Sequence, residues 1–190
     1  MPSRPDPNTA PRPRKAVAVG RLWALGLTAA AAGCGGGETY DPQQATGCPR
    51  VAIVADAAEV VEFRPGPGRD LTDVVSRGFM GELAGACEYD GDEGTVTVEV
   101  QLPIVGERGP AATGGEAAFT YFVAVTDPAS TILAKELFDT SVAFAEGQTR
   151  AGTVEELEQV IPLANPAQGV NYQILIGFQL TPEQLDFNRR

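Results

Sequence analysis

The sequence predicts a mainly β domain, an antiparallel β-sandwich of about seven strands with a short C-terminal helix. Two segments, Thr95–Leu102 and Val170–Leu180, alternate apolar and polar residues with the period of a half-buried strand. The 190 residues include 22 glycines and 15 prolines, so turns are frequent. We expect an immunoglobulin-like arrangement, with a jelly roll or a small barrel as alternatives.

The first half of the body is predicted to contain short strands separated by marked turns. Arg50–Ala55 and Ala58–Phe63 are apolar runs, and Arg64–Asp70 then carries two prolines and two glycines, which indicate a loop. Ser76–Tyr89 places small residues between larger ones and leads into Asp90–Gly94, a predicted hairpin turn. The alternating strand from Thr95 follows directly.

The second half of the body continues the same pattern. Gly106–Ala117 is predicted to be a loop because it is rich in glycine, and Ala118–Val125 is the next strand. Thr131–Phe138 and Thr140–Ala145 are predicted as two further strands, with an exposed stretch at Lys135 and Glu136.

The segment Thr153–Leu163 fits two structures. Thr153 and Glu156 have the spacing of a capping box, which favours a helix whose apolar face would contain Leu157 and Ile161. The neighbouring strands and the apolar ending of the segment favour another strand. We predict a strand here.

The C-terminal segment carries a helix signal. Thr181 can cap a helix, Pro182 suits the first helical position, and Gln184 has the spacing of a capping box. We therefore predict a short helix over Pro182–Asn188.

Composition excludes several kinds of chemistry. The chain has no histidine, which rules out Ser-His-Asp and Cys-His catalysis and histidine-ligated zinc. Five of the 14 basic residues and one of the 25 acidic residues precede Cys34, so the remainder carries nine bases, 24 acids and a net charge of −15. Such an acidic body repels phosphate backbones, so we expect no nucleic-acid partner.

The first 33 residues have the order of a signal peptide. An uncharged apolar run, Leu22–Gly33, ends in small residues. A basic front precedes it, made of Arg12, Arg14, Lys15 and Arg21. The run is shorter than the roughly 20 apolar residues that a membrane-spanning helix needs.

The residues Ala31–Cys34, with the sequence AAGC, resemble the lipobox of bacterial lipoproteins. The resemblance implies that the Cys34 thiol receives a diacylglyceryl group and that a signal peptidase cleaves between Gly33 and Cys34. An ordinary cleaved signal peptide is the alternative. Gly35 follows the lipidated position, where an aspartate would favour retention at the inner membrane, so the resemblance favours the outer membrane.

These features divide the chain into three parts. Residues 1–33 form the signal peptide, residues 34–47 a flexible tether rich in glycine and polar residues, and residues 48–190 the β-sandwich. The expected location is the cell envelope, with the body facing the periplasm and the membrane contacted through lipid at Cys34.

Two cysteines remain in the body, Cys48 and Cys87. In an oxidising compartment this pair favours a disulfide bond, which would join the first strand of the body to a later one. The alternative is two free, buried thiols.

The acidic turn offers candidate metal ligands. Asp90, Asp92 and Glu93 could supply oxygens to Ca²⁺. An EF-hand loop that starts at Asp90 would need glycine and glutamate where this chain has Thr95 and Gln101. A solvated hairpin turn is therefore the favoured interpretation, and we expect no metal and no cofactor.

No catalytic motif follows from the sequence. Ser130 and Lys135 lack the spacing of Ser-x-x-Lys enzymes, and no glycine loop has the pattern of a phosphate site. We therefore expect a non-catalytic body that binds or scaffolds, as an accessory subunit with a protein or glycan partner in the envelope. A hydrolase that uses two carboxylates about 5–10 Å apart is the alternative.

Overall fold

The computed structural model describes residues 47–163 and 165–189. The predicted signal peptide and nearly all of the predicted tether fall outside this part. The described residues form nine strands, three short 3₁₀ segments and one α-helix. The elements are β1 (Arg50–Ile53), β2 (Glu59–Phe63), β3 (Val74–Met80), β4 (Ala84–Asp90), β5 (Thr95–Arg108), β6 (Glu116–Thr126), β7 (Ile132–Ala143), β8 (Arg150–Pro162), β9 (Gln173–Phe178) and α1 (Pro182–Asn188).

The strands form two sheets, which confirms the predicted β-sandwich. Sheet A has the order β1-β9-β6-β7. Sheet B contains β2, β3, β4, β5 and β8, with β5 paired to β3 and β4 and also to β8. The pairings in the described residues are antiparallel apart from β1 with β9, which is parallel. The body has nine strands where about seven were expected.

β3 and β4 pair one after the other with the same long strand, β5. Both run antiparallel to β5, with Met80 opposite Ile104 and Ala84 opposite Gln101. Three residues of the β3–β4 connection therefore face two residues of β5, which bends the strand as a β-bulge does. The Gly81 N–H donates to the Pro103 carbonyl at 2.8 Å and holds this bend against β5.

β5 is longer than its alternating pattern indicated. It continues through Pro103 to Arg108, whereas the loop was predicted to begin at Gly106. Gly106 pairs with both Gly78 and Ala151, and a Cβ atom at this position would lie 3.1 Å from the Cβ of the buried Val142, so a larger residue would need Val142 to shift by a few tenths of an ångström. The glycine that suggested a loop is thus a strand residue in a crowded interior.

The core lies between the inner faces of the two sheets. The alternation predicted for Thr95–Leu102 is confirmed, because every second side chain of β5 is buried. Removing such a side chain from water contributes about 1.5–3 kcal/mol. The largest fully buried side chains include Leu102, Ile104, Tyr121, Ile174, Ile176 and Phe178.

Strand pairing determines the structure of two segments, Thr153–Leu163 and Thr131–Ala145. β8 pairs with β5 from Thr95 opposite Pro162 to Glu107 opposite Arg150, so the predicted strand is confirmed over the capping-box helix. The two strands predicted between Thr131 and Ala145 are instead one strand, β7, because β6 pairs with it along its whole length.

The C-terminal helix has the predicted bounds and the predicted cap. The Thr181 hydroxyl accepts a hydrogen bond from the Gln184 N–H at 3.2 Å. The Gln184 side-chain oxygen accepts one from the Thr181 N–H at 2.8 Å. Two of the helix's otherwise unpaired donors are satisfied in this way.

Candidate functional site

The two body cysteines are joined in a disulfide bond. Cys48 lies two residues before the start of β1 in sheet A, and Cys87 lies on β4 of sheet B, with their Cα atoms 6.0 Å apart. The bond therefore links the two sheets covalently, as the sequence predicted for an early and a later strand. The predicted lipidation and cleavage residues, Cys34 and Gly33, lie outside the described residues.

The candidate calcium ligands lie in the hairpin turn between β4 and β5. One carboxylate oxygen of Asp90, Oδ1, accepts hydrogen bonds from the N–H groups of Asp92 at 2.8 Å and Glu93 at 3.0 Å. Gly94 closes the turn with φ +67°, a conformation that favours glycine. Asp90 thus organises the turn itself. Within residues 47–163 and 165–189 no group of three acidic or cysteine side chains could hold a metal ion.

The outer face of sheet B carries an acidic depression of about 510 Å³. Ala84, Ala86 and the intervening glycine of β4 leave room above the sheet. The rest of the lining combines three carboxylates, those of Glu99, Glu156 and Glu158, with Val100, Gln101 and Leu157. Glu99 of β5 lies directly opposite Glu158 of β8. Like charges in directly opposed positions repel each other, so this face presents unbalanced negative charge to a partner.

A second depression, of about 560 Å³, lies between β2 and α1. Its wall contains Phe63 and Phe187, whose ring centroids are 5.5 Å apart and nearly perpendicular. The Arg69 guanidinium lies 5.4 Å from the Phe63 ring centroid and forms a 2.9 Å ion pair with Glu183. These contacts fasten α1 to the loop after β2.

The helix α1 also covers the free edge of β2. The side-chain amide of Asn188 donates to the Glu59 carbonyl at 2.7 Å and to the Asp56 carbonyl at 3.0 Å. The Gln184 amide donates to the Val61 carbonyl at 3.3 Å. Backbone acceptors that would otherwise be open to another strand are occupied by side chains of the same chain.

β7 lies at an edge of sheet A and is exposed on both faces over Ile132–Leu137. The exposed fractions of Ile132, Leu133 and Leu137 are 60%, 56% and 57%. Among them stands Lys135, whose ammonium lies 4.6 Å from the Phe122 ring centroid and donates to the Gln179 side chain at 2.9 Å. We call Ile132–Leu137 the β7 segment.

Sequence reasoning missed the β7 segment as a surface. It predicted an exposed stretch at Lys135 and Glu136, but it treated the apolar residues of Thr131–Phe138 as ordinary strand residues. The available signal was the absence of a clear apolar–polar alternation before Phe138, since a half-buried strand alternates and this one does not.

One buried tyrosine is strongly perturbed. Burial raises the pKa of Tyr121 to about 12, and the nearby Glu155 carboxylate adds to the increase. The same carboxylate accepts a hydrogen bond from the Thr140 hydroxyl at 2.6 Å. Glu155 therefore joins β7 to β8 across the edge of the sandwich.

A second perturbed group lies in the loop after β2. The pKa of Asp70 is lowered, mainly because the Thr72 hydroxyl donates a hydrogen bond to its carboxylate. A general acid needs the opposite shift. Asp70 acts as the N-cap of a 3₁₀ segment, Leu71–Asp73.

Comparisons of the chain with protein-family models, with curated proteins and with solved structures find no match. No helix in residues 47–163 and 165–189 is long and apolar enough to span a bilayer.

Proposed function

We propose that this protein is an envelope lipoprotein, anchored through lipid at Cys34, whose β-sandwich binds or scaffolds a partner and performs no catalysis. The partner is a protein or glycan of the envelope, and the chain serves as an accessory subunit of an assembly there. The AAGC sequence at Ala31–Cys34, placed after a basic front and an apolar run, carries this proposal.

The position of the disulfide supports the proposal. Cys48 and Cys87 are bonded, and disulfides persist in oxidising compartments such as the periplasm. Cys48 is also the first residue of the predicted body, so only the short tether of residues 34–47 would separate this body from the lipid at Cys34. Lipid anchoring with such a tether would raise the local concentration of the body near membrane-bound partners.

The surface supports binding through edges and faces. The described residues present depressions on the sheet and helix surfaces, the acidic face around Glu99 and Glu158, and the exposed β7 segment. An exposed edge strand can accept an extended segment from a partner by main-chain hydrogen bonds. An acidic face favours partners with complementary positive charge.

Fatty-acid labelling followed by cell fractionation tests the anchor. The wild-type chain should incorporate labelled fatty acid and sediment with membranes, and Cys34→Ala should lose both properties. Cys87→Ala is the matched control, since it removes a cysteine outside the AAGC sequence and should keep the label. A wild-type protein that stays unlabelled, with residues 1–33 still attached, would refute the anchor.

Site-specific photocrosslinking in cells, read by mass spectrometry, tests the binding role. A photoreactive residue at the exposed Leu133, Val154 or Val160 should capture an envelope protein or glycan. The buried Val98 is the control position and should capture nothing from outside the chain. If every exposed position also stays without a neighbour, the binding role is wrong.

A further inference from the structure

The two sheet edges formed by β2 and β7 are treated differently by the chain. α1 supplies amide groups from Gln184 and Asn188 to the carbonyls of β2. In the part of the chain that the structure describes, the backbone of the β7 segment receives no comparable side-chain cover. Four of its six residues are apolar, and the segment is exposed on both faces. An uncovered apolar edge strand is a template for pairing with another strand.

We propose that β7 pairs antiparallel with β7 of a second copy, so that two sheets A join into one continuous sheet. The proposal stands on the structure of the body alone and does not depend on the lipid anchor. The charges along β7 favour a second copy of the same strand as the partner, and they also determine how the two strands align.

Symmetry restricts the possible registers. In an antiparallel pair of identical strands the twofold axis is perpendicular to the sheet, so each side chain keeps its face in the second copy. Directly opposed residues of a sheet share a face, and faces alternate along a strand. The twofold axis must therefore lie between a residue of one copy and the same residue of the other copy. We identify each possible register by this residue and call it an axis at that residue.

Among axes from Lys135 to Asp139, which centre the pairing on the middle of β7, the charges select one register. An axis at Lys135, Glu136 or Asp139 would oppose two like charges, which is unfavourable. An axis at Phe138 would oppose Leu137 to Asp139. An axis at Leu137 opposes the two leucines and places Lys135 opposite Asp139 of the second copy, twice by symmetry.

The geometry of β7 agrees with an axis at Leu137. Lys135, Leu137 and Asp139 lie on the outer face, since Phe138 and Thr140 point toward the core. The three outer residues are exposed, and opposed side chains in a sheet have Cβ atoms about 4.5–5.5 Å apart, within reach of a Lys–Asp ion pair. The strand's register with β6 shifts near Ile132, so the regular ladder would extend over Ala134–Thr140.

Cysteine crosslinking tests the register in the full chain with Cys34 replaced by alanine and one cysteine added on β7, purified in a mild detergent and oxidised with copper phenanthroline. Cys48 and Cys87 are bonded to each other, so the added cysteine is the free thiol. Leu137→Cys should give a crosslinked dimer, because Cα atoms of directly opposed residues are about 4.5–5.5 Å apart. Lys135→Cys and Ser141→Cys are matched controls on the same face. Each residue at position 135 would lie about 14 Å along the strand from its copy, too far for a disulfide.

Charge reversal tests whether Lys135 and Asp139 determine the register. The yield of the Leu137→Cys crosslink measures dimer formation in each variant. Lys135→Glu should weaken the dimer about tenfold, because two attractive pairs become repulsive. Adding Asp139→Lys to Lys135→Glu should restore it. Arg50→Glu changes the net charge as Lys135→Glu does, but it lies on β1 at the other edge of sheet A and should leave the crosslink unchanged.

Three results would overturn the proposal. The first is no crosslink at Leu137→Cys in protein that is otherwise folded. The second is equal crosslinking at positions 135, 137 and 141, which would indicate random collision. The third is a Leu137→Cys crosslink that Lys135→Glu does not weaken, which would show that these charges do not determine the pairing.

Discussion

The Asn188 side-chain amide donates to the Glu59 carbonyl of β2 at 2.7 Å. One helical turn earlier, the Gln184 amide reaches the Val61 carbonyl. Four residues of helix rise about 6 Å, and two residues of strand advance about 6.6 Å, so the two amides match alternate carbonyls on one strand edge. α1 therefore satisfies this edge in place of a neighbouring strand.

Removing one of these amides should loosen β2. We expect Asn188→Ala to lower the free energy of unfolding by about 1–2 kcal/mol, because two backbone carbonyls lose their side-chain donor. Hydrogen exchange of the β2 amides and urea unfolding measure the effect. Asp186→Ala, an exposed position on the same helix, is the control. Unchanged protection of β2 in Asn188→Ala would show that the cover contributes nothing.

The disulfide should contribute a large share of stability. The bonded cysteines are 39 residues apart, and the chain-entropy model gives about 4 kcal/mol for a loop of this size. Cys87→Ala should therefore reduce the free energy of unfolding in urea by roughly that amount. Cys34→Ala should leave it unchanged. Equal stability of wild type and Cys87→Ala under oxidising conditions would contradict the expectation.

Glu99 and Glu158 on the acidic face repel each other, and a single substitution can turn this repulsion into an attraction. Glu158→Lys should raise the free energy of unfolding by about 0.5 kcal/mol, because Glu99 then faces an opposite charge. Added salt should reduce the gain. Glu156→Lys is the control, since Glu156 faces the uncharged Gln101. An equal gain in both variants would mean that only the net charge matters.

Alkaline stability should depend on Tyr121. Its pKa in the folded protein is about 12, above the ordinary value of 10.0, so the neutral phenol is favoured by folding. This contribution is complete below pH 10.0 and is lost as the pH rises toward about 12. Thermal unfolding across this range should show that Tyr121→Phe loses less stability than wild type. Parallel losses in the two proteins would refute the assignment.

The hairpin turn should depend on Asp90 and not on a metal. Asp90→Ala removes the acceptor of two backbone N–H groups and should cost about 1 kcal/mol. Asp92→Ala, which leaves those bonds in place, should cost less. We expect millimolar Ca²⁺ to leave the melting temperature unchanged. A calcium-induced rise that requires Asp92 and Glu93 would instead assign these carboxylates to a metal site.

Local signals predicted the elements that local chemistry forms. The cap residues Thr181 and Gln184 fixed the start of α1, because a capping box satisfies donors within one turn. The alternation over Thr95–Leu102 predicted a strand, because one face of β5 is buried along this stretch. The Asp90 turn was likewise readable, since its hydrogen bonds join neighbours in sequence.

Contacts between distant segments were beyond the sequence. The parallel pairing of β1 with β9 joins the start and the end of the body, and no local pattern encodes it. Thr153 and Glu156 carried a helix signal that pairing with β5 overrode. The cover over β2 required knowing that Asn188 and Glu59 meet, which neither residue type indicates alone.

The bond between Cys48 and Cys87 also determines how the body would respond to mechanical load. A force applied to the chain before Cys48 acts on the disulfide bond before it acts on β1, because Cys48 precedes that strand. The tension would then divide between β1 and β4, one in each sheet. Peeling β1 away from β9 alone would not release the body, so the sandwich is reinforced against traction at its N-terminal end.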